Sequence, residues 1–217
     1  MIMKESGTYL KYPILGIDEA GRGPVIGPLV VAGVICRDGS DVEILKSIGV
    51  RDSKKLSRKK RNTIYKSIIG KFKIKSVVIN PTIIDRSEFN LNVLEYHAMR
   101  EIICFFNPRF VIIDSVGTPD TVRKYFNNIF PDIEFHPVYR ADVKYPVVSA
   151  ASIVAKETRE MIVKDLHEKY GEFGSGYPSD SNTRNWILKF LNNDIPMPDI
   201  VRRSWATISN LRNESNT

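Results

Sequence analysis

The strongest constraint on the fold is the stretch 14–28, in which an apolar run leads into a glycine turn. The run 14–17 ends at two adjacent carboxylates, Asp18 and Glu19, and residues 29–35 beyond the turn are again strand-like. Two apolar runs joined by a short turn predict a β-hairpin, with the carboxylates at the end of its first strand. Burying carboxylates at that position is costly unless positive charge lies nearby. We therefore expect a cation beside them.

The turn itself consists of Gly21, Arg22 and Gly23, which we call the glycine turn. A backbone with few side chains lets another chain approach closely, so the acids and the turn together suggest a metal held against a bulky polymer. A dinucleotide-binding loop is an alternative, but it needs the pattern G-x-G-x-x-G opening into a helix, and Gly27 comes one residue too late. A hairpin turn with solvent-facing acids explains the glycines but not an acid pair closing an apolar run. Arg22 is either a counter-ion for an acid or a contact for phosphate, and the sequence leaves both open.

Composition narrows the class of protein. The 217 residues suffice for one sizeable core with a small appended subdomain, and the net charge of +7 favours an anionic partner. Cys36 and Cys104 are the only cysteines, without paired spacing, which indicates a reducing compartment and no thiolate metal site. The sequence shows no signal peptide and no membrane-spanning run, so we expect a cytoplasmic protein, and we expect a monomer.

Strand-like and helical patterns alternate along the chain, which is typical of an α/β protein. We predict a mixed central sheet flanked by helices, with residues 1–171 as the core and 172–217 as a helical C-terminal subdomain. Beyond the hairpin, the predicted strands are 73–79, 110–113 and 133–138, and the predicted helices are 58–69, 91–106, 148–170, 183–191 and 199–211.

Two further acids occupy suggestive positions. Asp114 ends a buried strand, and in open α/β sheets functional groups gather beyond such ends. Asp142 directly precedes the long predicted helix. Asp114 has the alternative roles of helix cap or buried ion-pair partner, and Asp142 alone would be read as a surface-loop residue. Side chains alternate along a strand, so Asp18 and Glu19 face one way only if the strand breaks between them, and the nearby turn makes us expect such a break.

The stretch 14–24, Ile-Leu-Gly-Ile-Asp-Glu-Ala-Gly-Arg-Gly-Pro, resembles the opening motif of type 2 ribonuclease H (ribonuclease HII). Residues 52–56, 149–156, 174–180 and 201–205 resemble later motifs of that family, so the likeness spans most of the chain. The resemblance implies the ribonuclease H-like fold.

The resemblance also implies a metal-binding catalytic set. The family's four acids match Asp18, Glu19, Asp114 and Asp142. Oxygen ligands alone select hard ions, so the implied cofactors are two Mg²⁺ or Mn²⁺ ions. Two such ions, roughly 3.5–4 Å apart, activate a water and stabilise the leaving oxygen in phosphodiester hydrolysis.

A strongly basic run lies between residues 51 and 61, with seven cations in eleven positions. Such a run is often a solvated face. Four of these cations fall in the first turn of a predicted helix, where the helix dipole disfavours them, so we interpret the run as a contact for phosphates. By resemblance, Ser53 and Lys54 belong to a family motif whose lysine lies near the scissile phosphate.

Recognition of RNA requires a group that senses the 2′-hydroxyl. Backbone groups of Gly21, Arg22 and Gly23 could do so, and the resemblance gives the turn this role. It also implies that Tyr177 stacks at the RNA–DNA junction, although a tyrosine packed under its own loop is an equal alternative from the residues alone. Ser152 and Lys156 are weaker candidates for support of the site. Residues 209–217 contain no glutamine and no aromatic residue, so we expect no tail that binds the sliding clamp.

The sequence thus predicts a metal-dependent endoribonuclease. Its expected substrates are the RNA strand of RNA–DNA hybrids and single ribonucleotides embedded in duplex DNA, cut to leave 3′-hydroxyl and 5′-phosphate ends. A junction resolvase of the same fold and a non-catalytic nucleic-acid-binding protein are the alternatives.

Overall fold

The computed structural model describes residues 11–50 and 56–215. Its strands are β1 Ile14–Ala20, β2 Leu29–Cys36, β3 Ile74–Ile79, β4 Phe110–Asp114 and β5 Glu134–Val138. They form a sheet in the order β3-β2-β1-β4-β5. β1 pairs antiparallel with β2 and parallel with β4, while β3 and β5 extend the two edges. The predicted mixed sheet and the predicted hairpin are both confirmed.

Helices cover both faces of this sheet. They are α1 Gly39–Ser47, α2 Arg58–Ile69, α3 Pro81–Arg86, α4 Leu91–Phe106, α5 Pro119–Ile129, α6 Ala141–Lys144, α7 Pro146–Tyr170, α8 Ser181–Asn192 and α9 Ala206–Ser215. Within the described ranges, none of these helices is both long and apolar enough to cross a membrane.

Alternation along β1 assigns its side chains to two different cores. Ile14 packs in the layer that contains α7, whereas Leu15 and Ile17 pack in the layer that contains α4. Gly16 faces α7, and a Cβ built there would lie 2.5 Å from the backbone carbon of Val147. Only glycine therefore allows α7 to approach the central strand this closely.

A third core joins the C-terminal helices to the segment after the glycine turn. Val25 and Ile26 are buried there together with Trp186 and Ile187 of α8 and Leu211 of α9. This packing brings the tail of the chain next to the turn. The division into units at residues 171 and 172 stays a prediction.

Some elements differ from the sequence-based prediction. α1, α3, α5 and α6 were not predicted; α3 and α6 have only six and four residues, and the side chains of Asp38 and Thr118 cap the beginnings of α1 and α5. The last helix begins at Ala206 instead of residue 199, because the preceding residues make tertiary contacts: Val201 bridges to Ile26 in an isolated β-bridge. A local pattern cannot show such contacts.

Candidate active site

Three carboxylates converge where β1 and β4 end. The parallel register pairs Ile17 with Ile113, so the next residues, Asp18 and Asp114, lie side by side on the face toward α7. Carboxylate oxygens of Asp18, Asp114 and Asp142 lie within 4.8 Å of one another. We call these three residues the carboxylate centre.

Asp142 reaches the centre through a short turn that Asp114 helps to fix. Oδ1 of Asp114 accepts a hydrogen bond from the backbone N–H of Ala141, at 3.0 Å. Arg140, just before α6, has a φ of +57°, the left-handed conformation that reverses the chain after β5. Asp142 is buried on α6. The interpretation of Asp142 as a surface-loop residue, which the residues alone favoured, is therefore wrong.

The centre is electrostatically strained in the absence of a cation. Burial raises the pKa of Asp18 well above its usual range, and the neighbouring charges of Glu19 and Asp114 raise it further. A hydrogen bond from Ser152 opposes this shift. The Ser152 hydroxyl in turn accepts from Nζ of Lys156 at 2.9 Å, so α7 supplies a hydroxyl and an ammonium group beside the acids.

Glu19 follows Asp18 on β1, and its carboxylate lies close enough to Asp18, Asp114 and Glu95 to interact with all three. The strand continues to Ala20, with Glu19 opposite Val31 in the ladder, so the expected break between the two acids is wrong. Burial raises the pKa of Glu19 to about 8, and Glu95 of α4 adds to the shift while Arg22 opposes it. Among the described residues, Oε2 of Glu19 is buried without a hydrogen-bond partner.

The side chain of Arg22 turns inward onto α4. It pairs with the fully buried carboxylate of Glu95, and its NH2 group donates to Oδ1 of Asn92 at 2.7 Å. Burial raises the pKa of Glu95 to about 7, and the charge of Arg22 opposes that rise. Of the two roles left open for Arg22, the structure shows the counter-ion, although the carboxylate that it pairs with was not identified from the sequence.

The backbone of the glycine turn is held by a cation from the C-terminal tail. The fully buried Arg202 donates to the carbonyl oxygens of Gly21 at 2.6 Å, Arg22 at 3.1 Å and Gly27 at 3.0 Å. Within residues 11–50 and 56–215, the hydrogen bonds found for the backbone of the turn are accepted by the carbonyls of Gly21 and Arg22, and none is donated by the N–H of Arg22 or Gly23. Arg202 was not among the predicted site residues, although it lies in the stretch 201–205 that resembles a family motif.

Tyr177 lies against the glycine turn. A Cβ built on Gly23 would lie 3.5 Å from the tyrosine ring, and 44% of Tyr177 is exposed. Together with Lys156 and Arg159 of α7, the ring and the turn line a cavity of about 410 Å³ that Glu19 also reaches. The ring is therefore open to a ligand and is not covered by its own loop.

Part of the basic run is used within the fold. Ser53 and Lys54 lie outside the described residues. Nε of Arg58 lies 3.1 Å from Glu160 of α7, and Arg61 pairs with both Glu157 and Glu160. The interpretation of the whole run as a contact for phosphates therefore overlooked a structural role of these two arginines, which link α2 to α7.

The residues present fit a hard divalent cation. The donors are carboxylate oxygens close enough to share an ion, without nitrogen or sulfur ligands among the grouped residues. The buried Oε2 of Glu19 adds a further oxygen without a protein partner among the described residues. An ion at this position would also relieve the repulsion that raises the pKa of Asp18.

Comparison with known proteins agrees with this geometry. The family model of ribonuclease HII matches residues 15–208. Ribonuclease HII of Methanothermobacter thermautotrophicus is 43% identical over 202 residues, which cover 90% of this chain and 97% of that protein.

Solved structures show the same fold. Ribonuclease H2 from Pyrococcus horikoshii superposes with a TM-score of 0.84 at 34% identity, covering 94% of this chain and 99% of that one. Ribonuclease HII from Archaeoglobus fulgidus, solved in complex with PCNA, superposes with a TM-score of 0.83 at 37% identity, covering 89% and 95%.

Proposed function

The chain belongs to the ribonuclease HII family and is a ribonuclease H that degrades RNA in RNA–DNA hybrids, and we propose that it also cleaves at single ribonucleotides in duplex DNA. The products are 3′-hydroxyl and 5′-phosphate ends. The observation that carries the proposal is the position of the carboxylate centre beside a glycine turn and an exposed Tyr177. Acids for the chemistry and groups for recognition of one sugar thus lie at the same sheet edge.

In this proposal, Asp18, Glu19, Asp114 and Asp142 would hold two Mg²⁺ or Mn²⁺ ions. When bound, these ions would supply a nucleophilic water and charge stabilisation for the departing oxygen. The protein contributes the placement of the acids: Asp18 and Asp114 by strand register, Asp142 by its turn. Ser152 and Lys156 keep the Asp18 carboxylate in place from α7.

Recognition is assigned to the glycine turn and Tyr177. In this proposal, the N–H groups of Arg22 and Gly23 donate to a 2′-hydroxyl, while Arg202 supports the turn by binding its carbonyls. The ring of Tyr177 stacks on the nucleotide next to the cut. Ser53 and Lys54 contact the phosphate at the cleavage point, which follows from the family motif and not from the described contacts.

The decisive experiment uses two substrates and two metals. A duplex with one ribonucleotide and a long RNA–DNA hybrid are each incubated with Mg²⁺ and with Mn²⁺, and the product ends are identified by their response to phosphatase and ligase. Cleavage of both substrates with 5′-phosphate ends is the expected result. Cleavage of the hybrid without cleavage of the duplex that contains one ribonucleotide would overturn the proposed activity on single ribonucleotides.

Two other outcomes correspond to the alternative functions. Binding of both duplexes without cleavage under either metal would indicate a non-catalytic nucleic-acid-binding protein. Cleavage of a four-way DNA junction that lacks ribonucleotides would indicate a resolvase. The expected absence of a clamp tether is tested by adding PCNA, which should leave the elution volume of the protein in gel filtration unchanged.

A further inference from the structure

We propose that Asp85 is a positioning residue for ribonucleotide recognition, acting on the glycine turn through Arg202. The inference rests on the proposed function, since it takes the turn to be the part of the site that senses the 2′-hydroxyl. Asp85 lies on α3, a helix that contributes none of the proposed ligands or recognition groups.

The carboxylate of Asp85 holds the backbone of the C-terminal segment. Oδ2 accepts from the backbone N–H of Arg203 at 2.8 Å, and Oδ1 accepts from the N–H of Ser204 at 3.0 Å and from its hydroxyl at 2.6 Å. Charged acceptors make stronger hydrogen bonds than neutral ones. Two consecutive N–H groups on one carboxylate fix both the position and the direction of the chain at residues 203 and 204.

Arg202, the preceding residue, carries that position to the glycine turn. Its own N–H donates to the carbonyl of Val25 at 2.8 Å, and its guanidinium reaches the carbonyls of Gly21 and Arg22. The ring of Trp205 lies under the guanidinium, 4.8 Å from its central carbon. Asp85 is therefore linked to the glycine turn by a continuous path. It consists of the hydrogen bond from Arg203 to Asp85, the peptide linkage between Arg203 and Arg202, and the hydrogen bonds from Arg202 to the turn.

The consequence is greatest where a single sugar must be recognised. A shift of about 1 Å in a positioning group can cost on the order of a hundredfold in rate. A continuous hybrid offers many 2′-hydroxyls and registers, whereas a lone ribonucleotide offers one. Loss of the Asp85 contact should therefore lower cleavage at the lone ribonucleotide more than cleavage of the hybrid.

The test compares Asp85→Ala with Asp199→Ala. Asp199 accepts from the guanidinium of Arg203 at 3.0 Å but holds no backbone N–H of that segment, and both changes remove one negative charge. The ratio of kcat/KM on the lone ribonucleotide to kcat/KM on the hybrid should fall about tenfold in Asp85→Ala. It should stay within about twofold of wild type in Asp199→Ala. An equal loss on both substrates in Asp85→Ala would overturn the proposal.

A double mutant tests the route through Arg202. In an Arg202→Gln background, adding Asp85→Ala should leave the ratio unchanged, because coupled residues give non-additive effects. Additive losses would overturn the route. Asp85→Asn keeps Oδ1 as an acceptor for Ser204 and covers the case in which the alanine variant does not fold.

A readout that does not need activity separates this proposal from the proposed function. Backbone hydrogen exchange at Arg202 and Gly27, whose N–H groups donate to the carbonyls of Val25 and Ile200, should be faster in Asp85→Ala than in wild type and unchanged in Asp199→Ala. Wild-type protein that cleaves neither substrate would overturn the proposed function, and the exchange rates would still decide the role of Asp85. Unchanged exchange at both amides in Asp85→Ala would overturn the proposed positioning role of Asp85.

Discussion

The carboxylate centre and the glycine turn are neighbours at the carboxyl-terminal end of the central strand β1, but different parts of the chain support them. Asp18 lies near the end of β1 and Asp114 ends the adjacent parallel strand β4, and the N–H of Ala141, the residue before Asp142, donates to Asp114. The centre is thus built from the central sheet and the elements directly connected to it. Its support is local to the core.

The glycine turn and the segment that follows it, up to Pro28, are instead held from three distant parts of the chain. Glu95 of α4 binds the side chain of Arg22, Arg202 of the tail binds the turn's carbonyls, and Arg159 of α7 donates to the carbonyl of Pro28 at 3.1 Å. Burial lowers the pKa of Arg202 to about 10, so this guanidinium stays charged at neutral pH. Because the carboxylate centre and the glycine turn are supported by different parts of the chain, hydrolysis and sugar recognition should be separable by mutation.

The largest effect is expected from the carboxylate centre. Asp114→Asn removes one ligand charge while keeping the shape of the side chain, so cleavage of every substrate should fall below about 1% of wild type. Hybrid binding measured by fluorescence anisotropy in EDTA should be nearly unchanged, because the substitution also relieves repulsion with Asp18. Asp120→Asn, an exposed acid on α5, serves as the control.

Titration calorimetry with Mn²⁺ sharpens this test. Asp114→Asn should weaken Mn²⁺ binding, while Asp120→Asn should not. Residual cleavage above a few per cent, with metal affinity intact, would show that Asp114 is not a ligand.

Tyr177→Ala is the matching change on the recognition side. Base stacking on an aromatic ring is worth roughly 1–3 kcal/mol, so cleavage at a lone ribonucleotide should fall about ten- to a hundredfold. Cleavage of a continuous hybrid should fall less, since other registers remain available. Single-turnover rates on the two substrates measure the difference, and Tyr177→Phe, which keeps the ring, should retain most of the activity at the junction.

Equal losses on the two substrates would break the comparison, because Tyr177 would then position the strand in general. No loss on either would make it a packing residue beside Gly23.

Arg202→Lys tests whether the tail supports recognition and not hydrolysis. Lysine keeps the charge but cannot donate in the three fixed directions of the guanidinium, so the free energy of unfolding should fall by about 2 kcal/mol. Lone-ribonucleotide cleavage should fall about tenfold, with Mn²⁺ affinity unchanged. Urea denaturation and calorimetry give the two quantities. A loss of Mn²⁺ affinity would mean that the turn and the carboxylate centre share their support.

The positions of two acids of the carboxylate centre could be predicted from the sequence for a physical reason, whereas their convergence was implied only by the family resemblance. An apolar run that ends in an acid marks the last part of a strand: Asp114 is the last residue of β4, and Asp18 lies two residues before the end of β1. Asp142 carries no such local signal and was assigned only through the family resemblance. The nearby turn favoured a break in the strand at Asp18 and Glu19, but the ladder of β1 continues to Ala20.

The support of the turn could not be predicted. Arg202 binds backbone carbonyls up to 181 residues away, and carbonyls are present at every residue, so they leave no trace in the sequence. Glu95 lies among the apolar positions of α4, and nothing near it in the sequence indicates that Arg22 is its partner. The arginines of α2 were misjudged because their partners, Glu157 and Glu160, belong to another helix.

The smallest effects should come from the basic run, where the corrected role of Arg58 refines the prediction. Replacing Lys54 and Lys55 with alanine should weaken binding to hybrid and DNA duplexes alike and reduce the salt dependence of log affinity by about two units of slope, one per phosphate contact. Arg58→Ala should change the slope by less than either lysine, because its guanidinium is shared with Glu160. Anisotropy titrations at several salt concentrations measure all three slopes. An unchanged slope in the lysine double variant would show that the run is a solvated face. If Arg58→Ala changed the slope as much as the loss of one lysine, the ion pair with α7 would not keep this arginine from contacting phosphate.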